Sequence, residues 1–222
     1  KIVIIYLIRI LNHLHGETFS IMDNIEKIIN KTPDKQGRWK STTSRLWKTD
    51  MCSFLQDKNI ENSLEIGTNQ GWTSYALSFV SKNVYTIESS EHNFIKAKEH
   101  CSERNNIKFI KGDAYDDMTY NKLPEHFDVA VIDCVHTYEN VILDINRSLG
   151  YFNPNKGMYL IFDDYSHPTS TGVKEAIDEF KNSGGVKVEA YIGHKDGHVV
   201  TRPDETSFTL TGPEGIILSY GK

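Results

Sequence analysis

The feature that most constrains the fold is a regular alternation of short apolar strands and amphipathic helices after Glu61. Each predicted strand is a run of mainly apolar residues, and each predicted helix carries apolar residues at helical spacing. The strands cover 63–66, 83–87, 107–110, 127–132, 158–162 and 186–192, and the helices cover 73–80, 92–105, 139–149 and 172–182. Such alternation predicts an α/β fold with a mostly parallel, twisted sheet and helices on both faces.

The segments before and after this alternation have patterns of their own. Helical spacing over 19–30 and 44–58, separated by a polar connection with Pro33 and Gly37, predicts an N-terminal helical layer. We therefore divide the chain into a helical extension or lid, 1–60, and a main domain, 61–222. Residues 1–11 are strongly apolar but shorter than the roughly 20 residues of a membrane span, so we interpret them as a buried helix or strand. The tail, with strands predicted over 207–210 and 216–218, indicates either a terminal hairpin or an inserted antiparallel edge strand.

The composition and net charge limit the kinds of binding partner and the cellular compartment that we expect. The net charge of −5 disfavours nucleic acid, because phosphate binding needs clustered Lys and Arg, and it favours a small neutral or cationic ligand. Three cysteines without C-x-x-C spacing suit a reducing compartment, so we expect a cytoplasmic location and no membrane span. The missing initiator Met favours a segment of a longer multidomain chain, and a homo-oligomer is left open.

Three successive strand ends carry residues suited to a nucleoside. Gly67 and Gly71 follow the first strand, where glycines let the backbone approach a ligand beside a helix N-terminus. Glu88 ends the second strand and can accept both hydroxyl protons of a ribose. Asp113 follows the third strand and can accept from an adenine amino group. Asn at position 69 breaks the G-x-G-x-x-G fingerprint of a dinucleotide site, which disfavours NAD.

Carboxylates and one histidine follow the fourth and fifth strands. Asp133, Asp163 and Asp164 should meet at one rim, where they would repel one another unless a hard divalent cation such as Mg²⁺ were bound. Helix N-capping would explain one of the three, but not all of them. His136 has an ordinary pKa near 6.5, which would let it accept a proton at neutral pH.

Residues 61–192 resemble the class I S-adenosylmethionine-dependent methyltransferases, through these strand ends and the segment Ser63-Leu64-Glu65-Ile66-Gly67-Thr68-Asn69-Gln70-Gly71. The resemblance implies a Rossmann-like methyltransferase fold with S-adenosylmethionine as cofactor. By this resemblance, the methionine end of the cofactor would be held by Glu65, Gly67, Thr68 and Gly71. The ribose would be held by Glu88 and Ser89, and the adenine by Asp113 and Ala114.

The segments IDCVHTYENVILDI and GMYLIFDDYSHPTSTGVKEAIDEF resemble metal-dependent O-methyltransferases that act on sugars of macrolide and aminocoumarin natural products. The match implies Mg²⁺ on Asp133, Asp163 and Asp164, with His136 as the catalytic base beside Asp133. Val135 departs from the family, which has an acidic residue before the His. The expected function is metal-assisted O-methylation of a hydroxyl on a sugar, glycan or similar small molecule. Trp39 and Trp47 would either cover the acceptor or, more simply, pack in the interior.

Two alternatives stay open at this point. A catechol-type phenolic O-methyltransferase also uses a divalent ion and two neighbouring hydroxyls. Val135 and the missing initiator Met also permit a non-catalytic module of a larger glycan-assembly protein. His194 and His198 suggest a second metal site, although a solvated loop explains their spacing more simply.

Overall fold

A computed structural model describes residues 17–32, 43–201 and 206–222 of the chain. Its helices are α1 (Glu17–Lys31), α2 (Arg45–Leu55), α3 (Trp72–Leu77), α4 (Glu91–His100), α5 (Asp117–Tyr120), α6 (Tyr138–Leu149) and α7 (Thr171–Lys181). Its strands are β1 (Ile60–Ile66), β2 (Ser81–Glu88), β3 (Ile107–Lys111), β4 (Val129–Ile132), β5 (Met158–Phe162), β6 (Val186–Ile192), β7 (Val199–Thr201), β8 (Ser207–Thr209) and β9 (Gly215–Tyr220).

Seven strands form one sheet in the order β3-β2-β1-β4-β5-β9-β6. The neighbours from β3 to β5 pair in parallel, and β9 runs antiparallel to both β5 and β6. The α/β prediction is confirmed. Of the two possibilities for the tail, an inserted antiparallel strand is correct, but β9 lies inside the sheet and β6 forms the edge. The other tail strand, β8, pairs with β7 in a separate two-stranded ribbon.

The core lies in two layers, one on each face of the sheet. Alternate residues of β5 point to opposite layers: Leu160 and Phe162 pack with α6 and α7, whereas Tyr159 and Ile161 pack with α2 and α3. Because both faces of these strands are buried, the parallel strands are nearly continuous runs of apolar residues in the sequence.

Helix α2 is part of this core. Trp47 is fully buried, and its Nε1 donates to the carbonyl of Phe162 at 3.4 Å, which confirms interior packing as its role. The division of the chain at residue 60 stays a prediction. Trp39, the polar connection and residues 1–11 lie outside the described residues. Within the described part of the chain, no helix is long and apolar enough to cross a membrane.

Strand order reverses between β1 and β4, which sit side by side at the centre of the sheet. In open parallel sheets, ligands bind at the carboxyl ends of the strands near such a reversal. The loops after β1 to β5 all meet at this rim.

Candidate active site

A cavity of about 680 Å³ opens at the carboxyl ends of the central strands. It extends from the end of β3 to the β7–β8 ribbon. Its lining comprises Gly67, Asn69, Ile87, Glu88, Ser89, Gly112, Asp113, Ala114, Tyr115, Asp133, Cys134, Val135, His136, Asp163, Asp164, His167, Thr169, Ser170, Val200 and Phe208. Residues from all three predicted nucleoside-binding strand ends and from both carboxylate-bearing ends therefore share one cavity.

The turn after β1 presses directly on the turn after β4. Gly67 has a φ of 98°, and a Cβ there would lie 2.1 Å from the carbonyl oxygen of Asp133. Asn69 also has a positive φ, 49°, a conformation that Asn tolerates better than most residues. The glycine is thus required by both backbone conformation and space, and it keeps the two turns on the same cavity wall.

A set of buried hydroxyl groups supports this turn from below. Thr86 Oγ1 donates to Glu65 Oε2 at 2.5 Å, Ser74 Oγ donates to the same oxygen, and Thr68 bonds to Thr86. Burial raises the pKa of Glu65 to about 8, so this carboxyl is largely protonated at neutral pH. The side chains of Glu65 and Thr68, and Gly71, lie behind the cavity lining, and their assignment to the methionine end of a cofactor stays a prediction.

The Glu88 carboxylate at the end of β2 is held rigidly. The Asn69 N–H donates to Oε2 and the Ser90 N–H donates to Oε1, each at 2.7 Å. The Asn69 bond ties the ends of β1 and β2 together, and the local Ser90 bond helps to fix the carboxylate on the cavity wall. A carboxylate oriented by two backbone amides still has lone pairs for two ribose hydroxyls.

The loop after β3 forms the next part of the wall. The Tyr115 N–H donates to Asp113 Oδ1 at 2.9 Å, which closes a tight turn around the buried Ala114. The Tyr115 side chain also lines the cavity, a residue that the sequence analysis missed. Arg147 of α6 donates to the Tyr115 carbonyl at 3.0 Å, so a helix far along the chain positions this loop.

His136 lies between two of the predicted carboxylates. Its Nε2 is 3.2 Å from Asp133 Oδ1, within hydrogen-bonding distance, and its Nδ1 is 3.5 Å from Asp164 Oδ2. Asp163 also lines the cavity and is 5% exposed. Asp164 has a φ of 54°, a left-handed conformation that directs the chain sharply away from β5.

The charge of the His136 ring differs from the prediction. The hydrogen bond to Asp133, together with the negative charges of Asp164 and Asp163, raises its pKa to about 9, against an opposing effect of burial. The expected pKa near 6.5 is therefore wrong for this arrangement. The ring is an imidazolium at neutral pH, and the neighbouring carboxylates hold its proton.

The three carboxylates lie near one another, but proximity alone does not give them the geometry of a metal site. Within residues 17–32, 43–201 and 206–222, no group of three or more His, Cys, Asp or Glu side chains has an arrangement that could hold a metal ion. The donors themselves suit Mg²⁺, since β4 and β5 are neighbours and bring three carboxylates to one rim. Binding through Asp133 and Asp164 together would require the intervening His136 ring to move.

Residues beyond β5 complete the cavity on the side away from β3. They are His167, Thr169 and Ser170 from the turn before α7, and Val200 and Phe208 from the ribbon. None of the five was predicted as a site residue from the sequence, because β7 is only three residues long and these side chains reach the cavity through tertiary packing.

The sequence of residues 64–165 matches the family model described as a methyltransferase domain. An uncharacterized protein of Acanthamoeba polyphaga mimivirus is 33% identical over 114 residues, which are 46% of this chain and 50% of that protein. The chain thus spans half the length of this curated relative.

Solved structures share the fold at low sequence identity. An O-methyltransferase from Bacillus cereus in complex with SAH superposes with a TM-score of 0.61 and 19% identity, covering 90% of this chain and 91% of that one. A putative O-methyltransferase from Klebsiella pneumoniae gives 0.57 and 16%, covering 97% and 94%. An O-methyltransferase from Streptomyces achromogenes involved in tomaymycin synthesis, in complex with SAM, gives 0.57 and 15%, covering 90% and 88%.

The seven-stranded sheet and its strand-end cavity define a Rossmann-like methyltransferase fold. Within this fold, residues 64–165 match a methyltransferase domain.

Proposed function

We propose that the protein is an S-adenosylmethionine-dependent O-methyltransferase that acts, with a divalent cation, on a hydroxyl of a sugar or glycan. One observation carries the proposal: a single cavity contains a nucleoside-type half, with Gly67, Glu88 and Asp113, and an ionisable half centred on His136. A methyl donor in the first half would lie next to an acceptor in the second. The solved relatives with SAM or SAH support the choice of cofactor.

The first half would bind the cofactor through three kinds of contact. Gly67 lets the turn after β1 approach the methionine end, Glu88 and Ser89 would hold the ribose, and Asp113 with Ala114 would hold the adenine. When bound, S-adenosylmethionine supplies a methyl group on a sulfonium. The fixed Glu88 carboxylate would orient the nucleoside and so direct that methyl group toward the end of β4.

The second half would remove the acceptor proton. Asp133 keeps one proton on His136 Nε2 through its hydrogen bond, so Nδ1 is the atom that would take the hydroxyl proton. His136 must first lose its own Nδ1 proton, because its pKa is raised to about 9. Asp133, Asp163 and Asp164 are the groups that would hold Mg²⁺, which would offset their charge and lower the pKa of the acceptor hydroxyl.

The charge of the cavity supports an uncharged acceptor. Five carboxylates line it (Glu88, Asp113, Asp133, Asp163 and Asp164), and the lining formed by the described residues includes no Lys or Arg. A phosphorylated sugar would meet like charge here, whereas a neutral or amine-bearing glycoside would not. We therefore propose neutral or amino sugars as the acceptors.

An acceptor screen tests the proposal. Purified protein is incubated with methyl-labelled S-adenosylmethionine and panels of neutral glycosides, sugar phosphates and catechols, each with Mg²⁺ or with chelator. We expect labelled product from neutral glycosides, at a rate that chelation lowers. Labelling of catechols alone would favour a phenolic acceptor, and rates unchanged by chelator would remove the metal from the mechanism.

Cofactor titration separates an enzyme from a non-catalytic module. Calorimetry with S-adenosylmethionine and S-adenosylhomocysteine should show saturable binding of both. Absence of binding by either would contradict the proposed function as a whole.

A further inference from the structure

The β7–β8 ribbon is a small structure separate from the main sheet, fixed on the cavity side of β6 and β9. Its base is closed by two backbone bonds, from the Gly197 N–H to the Leu210 carbonyl at 3.0 Å and from the Leu210 N–H to the His198 carbonyl at 2.9 Å. The Thr211 hydroxyl donates to the Ser166 carbonyl at 3.3 Å, which joins the ribbon to the turn after β5. The ribbon is therefore positioned by the same turn that carries Asp163 and Asp164.

Two ribbon side chains face the cavity while their neighbours face away. Val200 is 3% exposed and lines the cavity, whereas Val199 beside it is 48% exposed and does not. On the paired strand, Phe208 lines the cavity between the exposed Ser207 and Thr209. This alternation follows from the two-residue period of a strand, so one face of the ribbon forms an apolar wall.

The Phe208 ring is supported by a histidine from the β5 turn. The ring centroids of Phe208 and His167 are 4.3 Å apart at an interplanar angle of 56°. The Thr169 N–H donates to His167 Nδ1 at 3.2 Å, so the neutral ring carries its proton on Nε2. His167 is thus bonded within its own turn and packs against Phe208, so it helps to position the aromatic ring.

The placement of this wall decides which ligand it contacts. The cofactor-type residues lie at the ends of β1, β2 and β3. The sheet order puts β9 and β6 beyond β5, and the ribbon that connects them is bonded to the turn after β5 through Thr211 and Ser166, on the other side of Asp133 and His136. An acceptor placed between them would have an apolar surface on one side and acidic groups on the other. A cyclic polyol matches both, since its ring C–H face is apolar and its rim carries hydroxyls.

We infer that the ribbon is the acceptor-recognition element, with Phe208 packing against the ring face of a neutral pyranoside and Val200 extending that contact. This inference rests on the proposed function and names the residues that select its acceptor. Phe208 and Val200 take no part in proton removal, so they govern acceptor affinity and leave cofactor binding unchanged.

The test compares Phe208→Ala, Phe208→Tyr and Val200→Ala with the matched control Val199→Ala on the same strand. The binding probe is methyl α-D-mannopyranoside, observed by saturation-transfer NMR with protein saturated with S-adenosylhomocysteine. Kinetics use the best glycoside from the acceptor screen. We expect acceptor KM to rise about tenfold in Phe208→Ala, equivalent to about 1.4 kcal/mol, with kcat changed less than threefold. Phe208→Tyr should retain the aromatic contact, Val200→Ala should weaken the probe signal, and Val199→Ala should match wild type.

The two proposals fail in different ways. If wild type methylates a glycoside and Phe208→Ala keeps its KM, the ribbon inference is wrong and the proposed function stands. If wild type binds S-adenosylhomocysteine but neither binds the probe nor methylates any glycoside, the sugar acceptor itself is wrong. If a variant keeps the S-adenosylhomocysteine affinity and melting temperature of wild type, its domain remains folded. If Phe208→Ala loses both, the acceptor KM values of Val200→Ala and Phe208→Tyr test the inference instead.

Discussion

At the scale of single residues, Gly67 couples the two halves of the cavity. A Cβ at this position would overlap the Asp133 carbonyl at 2.1 Å, so Gly67→Ala must separate the ends of β1 and β4. Gly184 is a matched control, because its φ of 80° is similar but no atom lies within 4 Å of a Cβ there. We expect Gly184→Ala to cost about 1–2 kcal/mol through conformation alone. Gly67→Ala should cost more and abolish S-adenosylhomocysteine binding, as measured by urea denaturation and calorimetry; equal effects would contradict the close approach.

His136 is the residue whose loss separates the candidate acceptors. We expect His136→Ala to lower kcat on a glycoside by about 10²–10⁴-fold, because a sugar hydroxyl needs a base. A phenol, with a pKa of about 10, needs less help and would lose less. In wild type without Mg²⁺, whose charge would oppose that of the three aspartates, kcat should rise with pH as the raised pKa of about 9 is approached. Steady-state kinetics from pH 6 to 10 check both points, and a flat profile would exclude His136 as the base.

Site residues that lie directly after a predicted strand could be identified from the sequence, whereas the charge of the His136 ring could not. Glu88 and Asp113 followed from their position after a strand, and both line the cavity. The raised pKa of His136 depends on Asp164, 28 positions later in the chain, at 3.5 Å from its Nδ1. Only the β4–β5 pairing brings these side chains together, so the local sequence could not reveal the effect.

At the scale of elements, the predicted bounds match the structure at some strands and helices and miss it at others. Strands β5 and β6 have the predicted bounds, since each is a compact apolar run. Helix α4 was predicted to reach residue 105 but ends at His100. Past it, Arg104 turns back to donate to the Ser78 carbonyl at 2.7 Å and lies 4.0 Å from the centre of the Phe79 ring. These tertiary contacts outweigh the helical tendency of the sequence.

Helix α6 makes the stability of the fold depend on pH. Its Asp144 is fully buried, Oδ1 has no hydrogen-bond partner among the described residues, and Oδ2 accepts from the Tyr115 hydroxyl at 3.4 Å. Burial raises the pKa of this carboxyl to about 7. A raised pKa means that the contribution to stability is complete below the unfolded value of about 3.9 and is lost as pH rises through 7.

Asp144→Asn should remove this dependence, because an amide keeps the acceptor oxygen without the charge. We expect the variant to gain stability relative to wild type by on the order of 2–4 kcal/mol between pH 4 and pH 8. Urea denaturation at several pH values measures the difference. Asp57→Asn, which removes an exposed carboxylate, is the control and should show no such trend. A constant difference between Asp144→Asn and wild type would contradict the raised pKa.

At the scale of the whole molecule, the sheet order places the residues proposed for cofactor binding and those proposed for proton removal on separate strands. The reversal between β1 and β4 sends β2 and β3 to one side and β5 to the other, so Glu88 and Asp163 lie on opposite sides of the Gly67 contact. The alternation of strands and helices predicted a mostly parallel sheet, but not the order of its strands. The wall beyond β5 was not predictable either, because it depends on a ribbon inserted between β6 and β9.

This separation predicts that the two halves can be disabled independently. A ligand that binds only the folded state at 100 times its Kd stabilises it by about 2.7 kcal/mol. S-adenosylhomocysteine should therefore raise the melting temperature of wild type and Asp163→Asn alike, and fail to do so in Glu88→Ala. Methyl transfer should be lost in both variants, but Asp163→Asn should keep normal cofactor affinity, and Glu88→Ala should keep the rise in melting temperature that Mg²⁺ binding causes. If Asp163→Asn also failed to bind S-adenosylhomocysteine, the cavity would act as one cooperative unit. The assignment of cofactor binding and proton removal to separate strands would then be wrong.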